Sequence, residues 1–254
     1  MWTTLHLLTV IPAFIVFGVV AYFIGLWLKD KSETIKLIPI QVIAAIITIL
    51  EIIKQVRSIV MGYDLANLPL YYCSLFVFLY PTMALTKGKY KNHIRNLTLC
   101  SGVALLTLMI IMPDIIYSSS AIENFFNDFN DFHTVIFHNL VILGTFLIFS
   151  LNLYEINPNH DYLQVILFYF SFCVIVAPIA NLTHVNFHNF YKNNLDAVEV
   201  IRQQWVVNLG AFWGQTCYVL VATVLTVGLS VFIYFLLSKT IKLKKYFSNK
   251  RNKK

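Results

Sequence analysis

Seven long apolar runs, separated by short segments that hold most of the charge, leave this chain few folds to choose from. The runs cover residues 8–28, 37–53, 68–85, 94–112, 133–153, 162–182 and 211–237. Each is near the ~20 residues an α-helix needs to cross ~30 Å of hydrocarbon. Lipid offers no partner to an open backbone amide, so continuous runs of this kind are read as helices. A β-barrel would instead show strands of about ten residues alternating apolar and polar. The expected fold class is all-α: a polytopic membrane bundle of seven transmembrane helices over residues 1–238, with a basic tail over 239–254. The first run lacks a basic leader and exceeds the usual length of a signal-peptide core, so it is kept as a helix.

Composition excludes a soluble domain. Hydrophobic residues make up 58% and charged residues 12% of the chain, against about 25% charged in soluble domains. Mean hydropathy is +0.71. The net charge of +7 does not argue for nucleic acid, because no solvated segment is long enough to fold and present a basic patch. It serves as an orientation signal. Of the 19 Lys and Arg residues, 15 fall in the first loop (Lys29, Lys31, Lys36), the third loop (Lys87, Lys89, Lys91, Arg95) and the tail from Lys239 to Lys254. These three segments share one side of a seven-span bundle, and the positive-inside rule makes that side cytoplasmic. The expected arrangement is N-terminus outside and C-terminus inside, in a multi-pass protein of the cell membrane. Membrane phospholipids are the expected partners. The oligomeric state is left open.

The two longest loops, 113–132 and 183–210, then lie outside. Their aromatic residues (Phe125, Phe126, Phe129, Phe132, Phe187, Phe190, Tyr191) suit a segment lying on the lipid interface. The four cysteines, Cys73, Cys100, Cys173 and Cys217, have neither metal-site spacing nor a disulfide framework.

Ionisable groups within a span are costly in lipid, and each is a functional hypothesis. Three places stand out. At the start of the third run, Asn67 suits an N-cap and Pro69 a first helical turn, which puts Cys73 about one and a half turns in. A helix N-terminus favours a thiolate only within its first turn, so Cys73 is either a buried structural thiol or a nucleophile activated by a nearby base. At the start of the fifth run, His138 follows His133 by five residues, as Cys73 follows Leu68. Both side chains then lie about 7–8 Å below the same boundary, where they form either a nucleophile–base pair or two packing residues. His133, nearer the water, reads as interfacial. The third place is Glu51 with Lys54 near the outer end of the second run, spaced to pair on one helix face. They are an ion pair, a support for His138, or a headgroup contact. His184 and His188 lie in the sixth loop, but no HExxH pattern or ligand set calls for a metal, and no cofactor is expected.

The stretch Leu68-Pro69-Leu70-Tyr71-Tyr72-Cys73-Ser74-Leu75 resembles a motif of the bacterial YwaF-type integral membrane proteins. These are relatives of the animal transmembrane protein 164, a membrane acyltransferase. In that family a Leu-Pro-Leu-x-x-Cys-Ser-Leu-like motif opens the third helix, and a histidine two helices later corresponds to His138. Chain length and seven-helix topology are similar too. The resemblance implies acyl transfer between phospholipids, with Cys73 as the nucleophile that carries a thioester and His138 as base and then acid. Tyr71 stands where family members often have His, and the loop around Asn186 matches loosely. With Glu51 and Lys54 these residues are the candidates for substrate contact. An outward-facing pair has no access to coenzyme A, which favours transfer from lipid to lipid or to water. The alternative is a non-enzymatic transporter or small-molecule receptor. Against a transporter, the chain shows no internal repeat.

Overall fold

The computed structural model describes residues 2–116, 118–156 and 158–251, apart from the side chains at 115, 116, 158–160 and 241–251. Every regular element among them is helical. In order these are α1 (Thr4–Leu28), α2 (Glu33–Val60), α3 (Leu75–Leu85), α4 (Lys91–Ile111), α5 (Pro113–Ile116), α6 (Ser119–Glu123), α7 (Phe129–Ser150), α8 (Pro158–Thr183), α9 (Asp196–Leu209) and α10 (Ala211–Arg251), with three single 3₁₀ turns. Among the described residues, six helices are long and apolar enough to cross a membrane: Thr4–Leu28, Glu33–Val60, Gly88–Ile111, Phe129–Ser150, Asp161–Thr183 and Ala211–Thr240. The seventh expected span, 68–85, is helical only from Leu75. At 11 residues, α3 covers about 16 Å. Residues 252–254 of the expected tail, with Lys253 and Lys254, lie outside the described residues, while α10 continues as far as Arg251.

The helix ends have local causes. Asp128 caps α7 by accepting from the amides of Asn130 and Asp131. Thr3 caps α1 in a reciprocal box in which His6 takes the place usually held by Glu or Gln. The late start of α3 departs from the reading of Asn67 as its N-cap. Leu68 precedes Pro69 and is held extended, at φ −58° and ψ 137°, as the proline ring demands. The Asn67 side chain turns instead to the Ser58 hydroxyl, 3.0 Å away. The stretch from Leu68 to Ser74 runs as turns, and Ser74 is the cap residue of α3.

The chain divides into two units, Met1–Glu155 and Ile156–Lys254. In the first, α1, α2, α3, α4 and α7 run up and down. The indole of Trp2 donates to the Ile110 carbonyl (3.0 Å), and the Arg57 guanidinium lies 4.7 Å from the centre of the Phe129 ring. These contacts gather the starts of α1 and α7 with the ends of α2 and α4. At the opposite end, Glu33 accepts from Lys91 (2.8 Å) and from Arg95 (2.9 Å), and Asn92 donates to Glu155 (2.6 Å). α4 is buried along much of its length, whereas α1 presents Leu8, Ile15, Phe23 and Trp27 outward, as a lipid-facing helix does. Small residues allow close helix approach. A Cβ at Gly144 on α7 would fall 2.5 Å from the Tyr80 hydroxyl of α3. That hydroxyl donates to the Val141 carbonyl at 3.1 Å.

In the second unit α8 and α10 run antiparallel, joined at one end by the Tyr234 hydroxyl donating to Asp161 (2.6 Å) and at the other by Gln215 donating to Asn181 (2.8 Å). The segment after α8 turns back along the helices it connects. His188 meets Phe172 ring to ring at 5.4 Å and the Thr226 hydroxyl at 3.0 Å. Phe187 and Phe190 are fully buried, so these two aromatics fill the second unit instead of lying on a lipid interface. Their burial removes more apolar area from water than an interfacial position would. The turn requires left-handed backbone at His184, His188 and Asn189, a conformation that costs of order 1 kcal/mol at each non-glycine residue.

Candidate functional site

The C-terminal end of α2 and the start of α7 bring together a buried carboxylate, an imidazole and an ammonium. Glu51 is 6% exposed and His133 also 6%. The Nε2 of His133 lies 3.3 Å from Glu51 Oε2, an ion pair when the ring is protonated. Lys54 is 3.2 Å from the same carboxylate, as the i, i+3 spacing on α2 anticipates. The pairing departs from the expectation in one respect. Glu51 faces His133, not His138, because α2 and α7 are antiparallel and meet at this level. His133 is therefore an inward-facing residue; the reading of it as interfacial does not hold.

A buried carboxylate needs every lone pair occupied, and Gln55 supplies the remaining donor. Its Nε2 donates to Glu51 Oε1 (2.6 Å) and to the Asn67 carbonyl (2.7 Å), while its Oε1 accepts from Tyr63 (2.8 Å). Sequence reasoning missed Gln55, although a polar residue one turn after a buried Glu on the same face was the signal.

Cys73 lies in the turn stretch before α3, half-buried. Its thiol adjoins Ser74 in the chain and lies within electrostatic reach of Lys54 and of the half-buried Tyr71. The neighbouring Tyr72 hydroxyl points to the Ser101 carbonyl of α4 at 3.5 Å, a long contact.

His138 is buried in α7, with Phe137 edge-on at 5.5 Å. Its Nδ1 lies 2.7 Å from the Thr134 carbonyl. A carbonyl only accepts, so Nδ1 carries the proton and, in the neutral ring, the lone pair sits on Nε2. The Tyr80–Gly144 approach relates the two stretches. From Tyr80 back to Ser74 is six positions, as from Gly144 back to His138. At ~1.5 Å per helical residue the two counts cover about the same distance.

Asn186 belongs to the second unit, and its amide is occupied within its own loop. It donates to Asn189 (3.2 Å) and Asn194 (3.0 Å) and accepts from the Lys192 amide (3.2 Å). Among the described residues, no three His, Cys, Asp or Glu side chains gather as metal ligands would.

A profile of the TMEM164 family matches residues 1–234. The chain belongs to the TMEM164 family. The match spans both units and ends within α10, so the membership rests on the whole helical array and not on the cysteine motif alone. No curated protein and no solved structure matches the chain.

Proposed function

We propose that this member of the TMEM164 family is a membrane acyltransferase that moves acyl groups between phospholipids, or to water, through a thioester on Cys73. The observation that carries the reading is the state of His138. Its Nδ1 is held on the Thr134 carbonyl, which leaves Nε2 as a base, and the register through Tyr80 and Gly144 supports a common level for His138 and the cysteine motif.

In the first half-reaction His138 Nε2 takes the Cys73 proton and the sulfur bonds to the ester carbonyl carbon of the donor lipid. The tetrahedral adduct collapses, its C–O bond breaks, and the proton on His138 passes to the departing lysolipid oxygen. In the second half-reaction a hydroxyl of an acceptor lysolipid, or water, gives its proton to His138 and bonds to the thioester carbon. The C–S bond then breaks and the thiol regains its proton. Lys54, held by Glu51, is the candidate for contact with a phosphate headgroup. Tyr71 and Asn186 are candidates for further lipid contact.

The proposal includes seven crossings of the cell membrane, with α3 and the turn stretch before it forming the third, and the N-terminus outside. It places the chemistry in the outer leaflet, away from coenzyme A. The test is the purified protein in phospholipid nanodiscs with intact-mass detection of acylated Cys73. The reading expects one acyl adduct per chain in the wild type and none in Cys73→Ala, together with acyl exchange that the variant lacks. Equal exchange in Cys73→Ala sinks it.

A further inference from the structure

Gln55 is the junction of a polar path that runs from α7 to the stretch carrying Cys73. His133 on α7 faces Glu51 at 3.3 Å, Glu51 accepts from Gln55 at 2.6 Å, and the same amide nitrogen donates to the Asn67 carbonyl at 2.7 Å. Asn67 stands immediately before the Leu68-Pro69-Leu70-Tyr71-Tyr72-Cys73 stretch and is tied a second time to α2 through Ser58. That stretch has no helical ladder of its own. Its backbone bonds are turn bonds, such as Leu70 to the Leu68 carbonyl and Leu75 to the Tyr72 carbonyl. A segment without a ladder takes its geometry from the groups it is tied to.

The junction is selective for a glutamine. One planar group must donate twice, to a carboxylate and to a carbonyl, and accept once, from the Tyr63 hydroxyl at 2.8 Å. A glutamate has no proton to donate in its charged form, and a lysine has no acceptor. A shorter asparagine on the same helix position falls about one methylene short of partners that Gln55 meets at 2.6 and 2.7 Å.

We propose that Gln55 is a positioning residue for Cys73: its amide fixes the turn stretch against α2 and α7, and so sets where the thiol sits. The consequence for turnover rests on the acyl-transfer reading. The consequence for the thiol itself does not.

The test uses the full chain in nanodiscs and two readouts, the rate of Cys73 alkylation by N-ethylmaleimide and steady-state acyl transfer. Gln55→Met keeps the length of the side chain and removes its hydrogen bonds. Displacing a reacting atom by ~1 Å costs about a hundredfold in rate, so kcat is expected to fall by roughly that factor with KM held within about twofold. The alkylation rate at Cys73 shifts in the same variant. Tyr63→Phe, which removes only the outermost bond of the junction from a partly exposed residue, shifts both readouts in the same direction by less. If Gln55→Met does not fold, Tyr63→Phe decides. Alkylation unchanged in the folded variants overturns the inference. If alkylation shifts while the wild type forms no acyl adduct, the positioning role stands and the acyl-transfer reading falls.

Discussion

His133 on α7 lies 3.3 Å from Glu51 on α2, and both side chains are almost completely buried. The pair ties two antiparallel helices together at the end of the first unit where the cysteine motif begins. Removing one partner of a buried pair leaves the other charge uncompensated, which costs on the order of 3–5 kcal/mol. Glu51→Leu, which abandons Lys54 as well as His133, is expected to lower stability by about 3 kcal/mol. Glu51→Gln, which can still accept from Gln55, costs less. SDS-unfolding titrations of the two variants in lipid–detergent mixtures check the order.

His138 offers a second prediction. With Nδ1 on the Thr134 carbonyl, the proposed base is Nε2, and a side chain lacking a titratable ring removes it. His138→Gln is expected to lower kcat/KM for acyl transfer by about 10²- to 10⁴-fold. The unfolding midpoint moves little by comparison. A single-turnover acylation assay on Cys73 separates this loss from slow product release.

The seat of the Tyr80 side chain of α3 against α7 depends on the missing side chain at Gly144. A methyl there would meet the Tyr80 hydroxyl at 2.5 Å and its ring carbon at 2.6 Å. Gly144→Ala is expected to cost about 1–3 kcal/mol by overpacking. It also moves α3 relative to His138, so acyl transfer falls by more than the loss of folded protein accounts for. Activity per folded molecule, with the folded fraction taken from size-exclusion profiles, is the measurement.

Glu199 supplies a pH dependence outside the spans. Hydrogen bonds from Arg202, together with the Asn193 amide and Gln203, hold its carboxyl down to about 2, against about 4.3 in an unfolded chain. A depressed folded-state value stabilises above the unfolded one and is lost as pH falls through the folded one. The Glu199–Arg202 contribution is therefore complete above pH ~4.3 and disappears as pH falls towards ~2. Proteolysis of the α9 region at pH 7, 4 and 2.5 checks this. In Arg202→Met the pH-dependent increase in cleavage is expected to shrink.

The apolar runs made legible the six helices long and apolar enough to cross a membrane among the described residues, because twenty residues of such apolar character have few other uses. Ends shifted by several residues where a cap or an amphipathic turn extended the helix, as at Glu33 and Phe129. The third run misled for a local reason. Its hydropathy is continuous from Leu68, but Pro69 constrains Leu68, Asn67 just before it is held by Gln55 of α2, and the Tyr72 hydroxyl reaches α4. Hydropathy does not register either effect.

The site was legible one residue at a time. Cys73, His138, Glu51 and Lys54 were each marked by polarity in an apolar context, and the Glu51–Lys54 pair by spacing on one helix. The partner of Glu51 depends on the level at which α2 and α7 meet, which is tertiary information. The junction at Gln55 depends on the path of a turn. The buried loop around His188 was hidden for a similar reason: composition places Phe187 and Phe190 in an aromatic segment, but only the left-handed turns at His188 and Asn189 direct them inward.

The short reach of α3 has a consequence for the proposed acyl transfer. Non-helical backbone persists at membrane depth only where protein surrounds it or water reaches it. The turn stretch carrying Cys73 is half-buried, with Asn67 at its head tied to α2 and Tyr72 reaching α4. In the proposed reaction, a thioester on this half-buried cysteine is within reach of water as well as of lipid. On the acyl-transfer reading, leakage to free fatty acid competes with productive transfer, and the balance between the two depends on how fully the arriving acceptor covers the thioester.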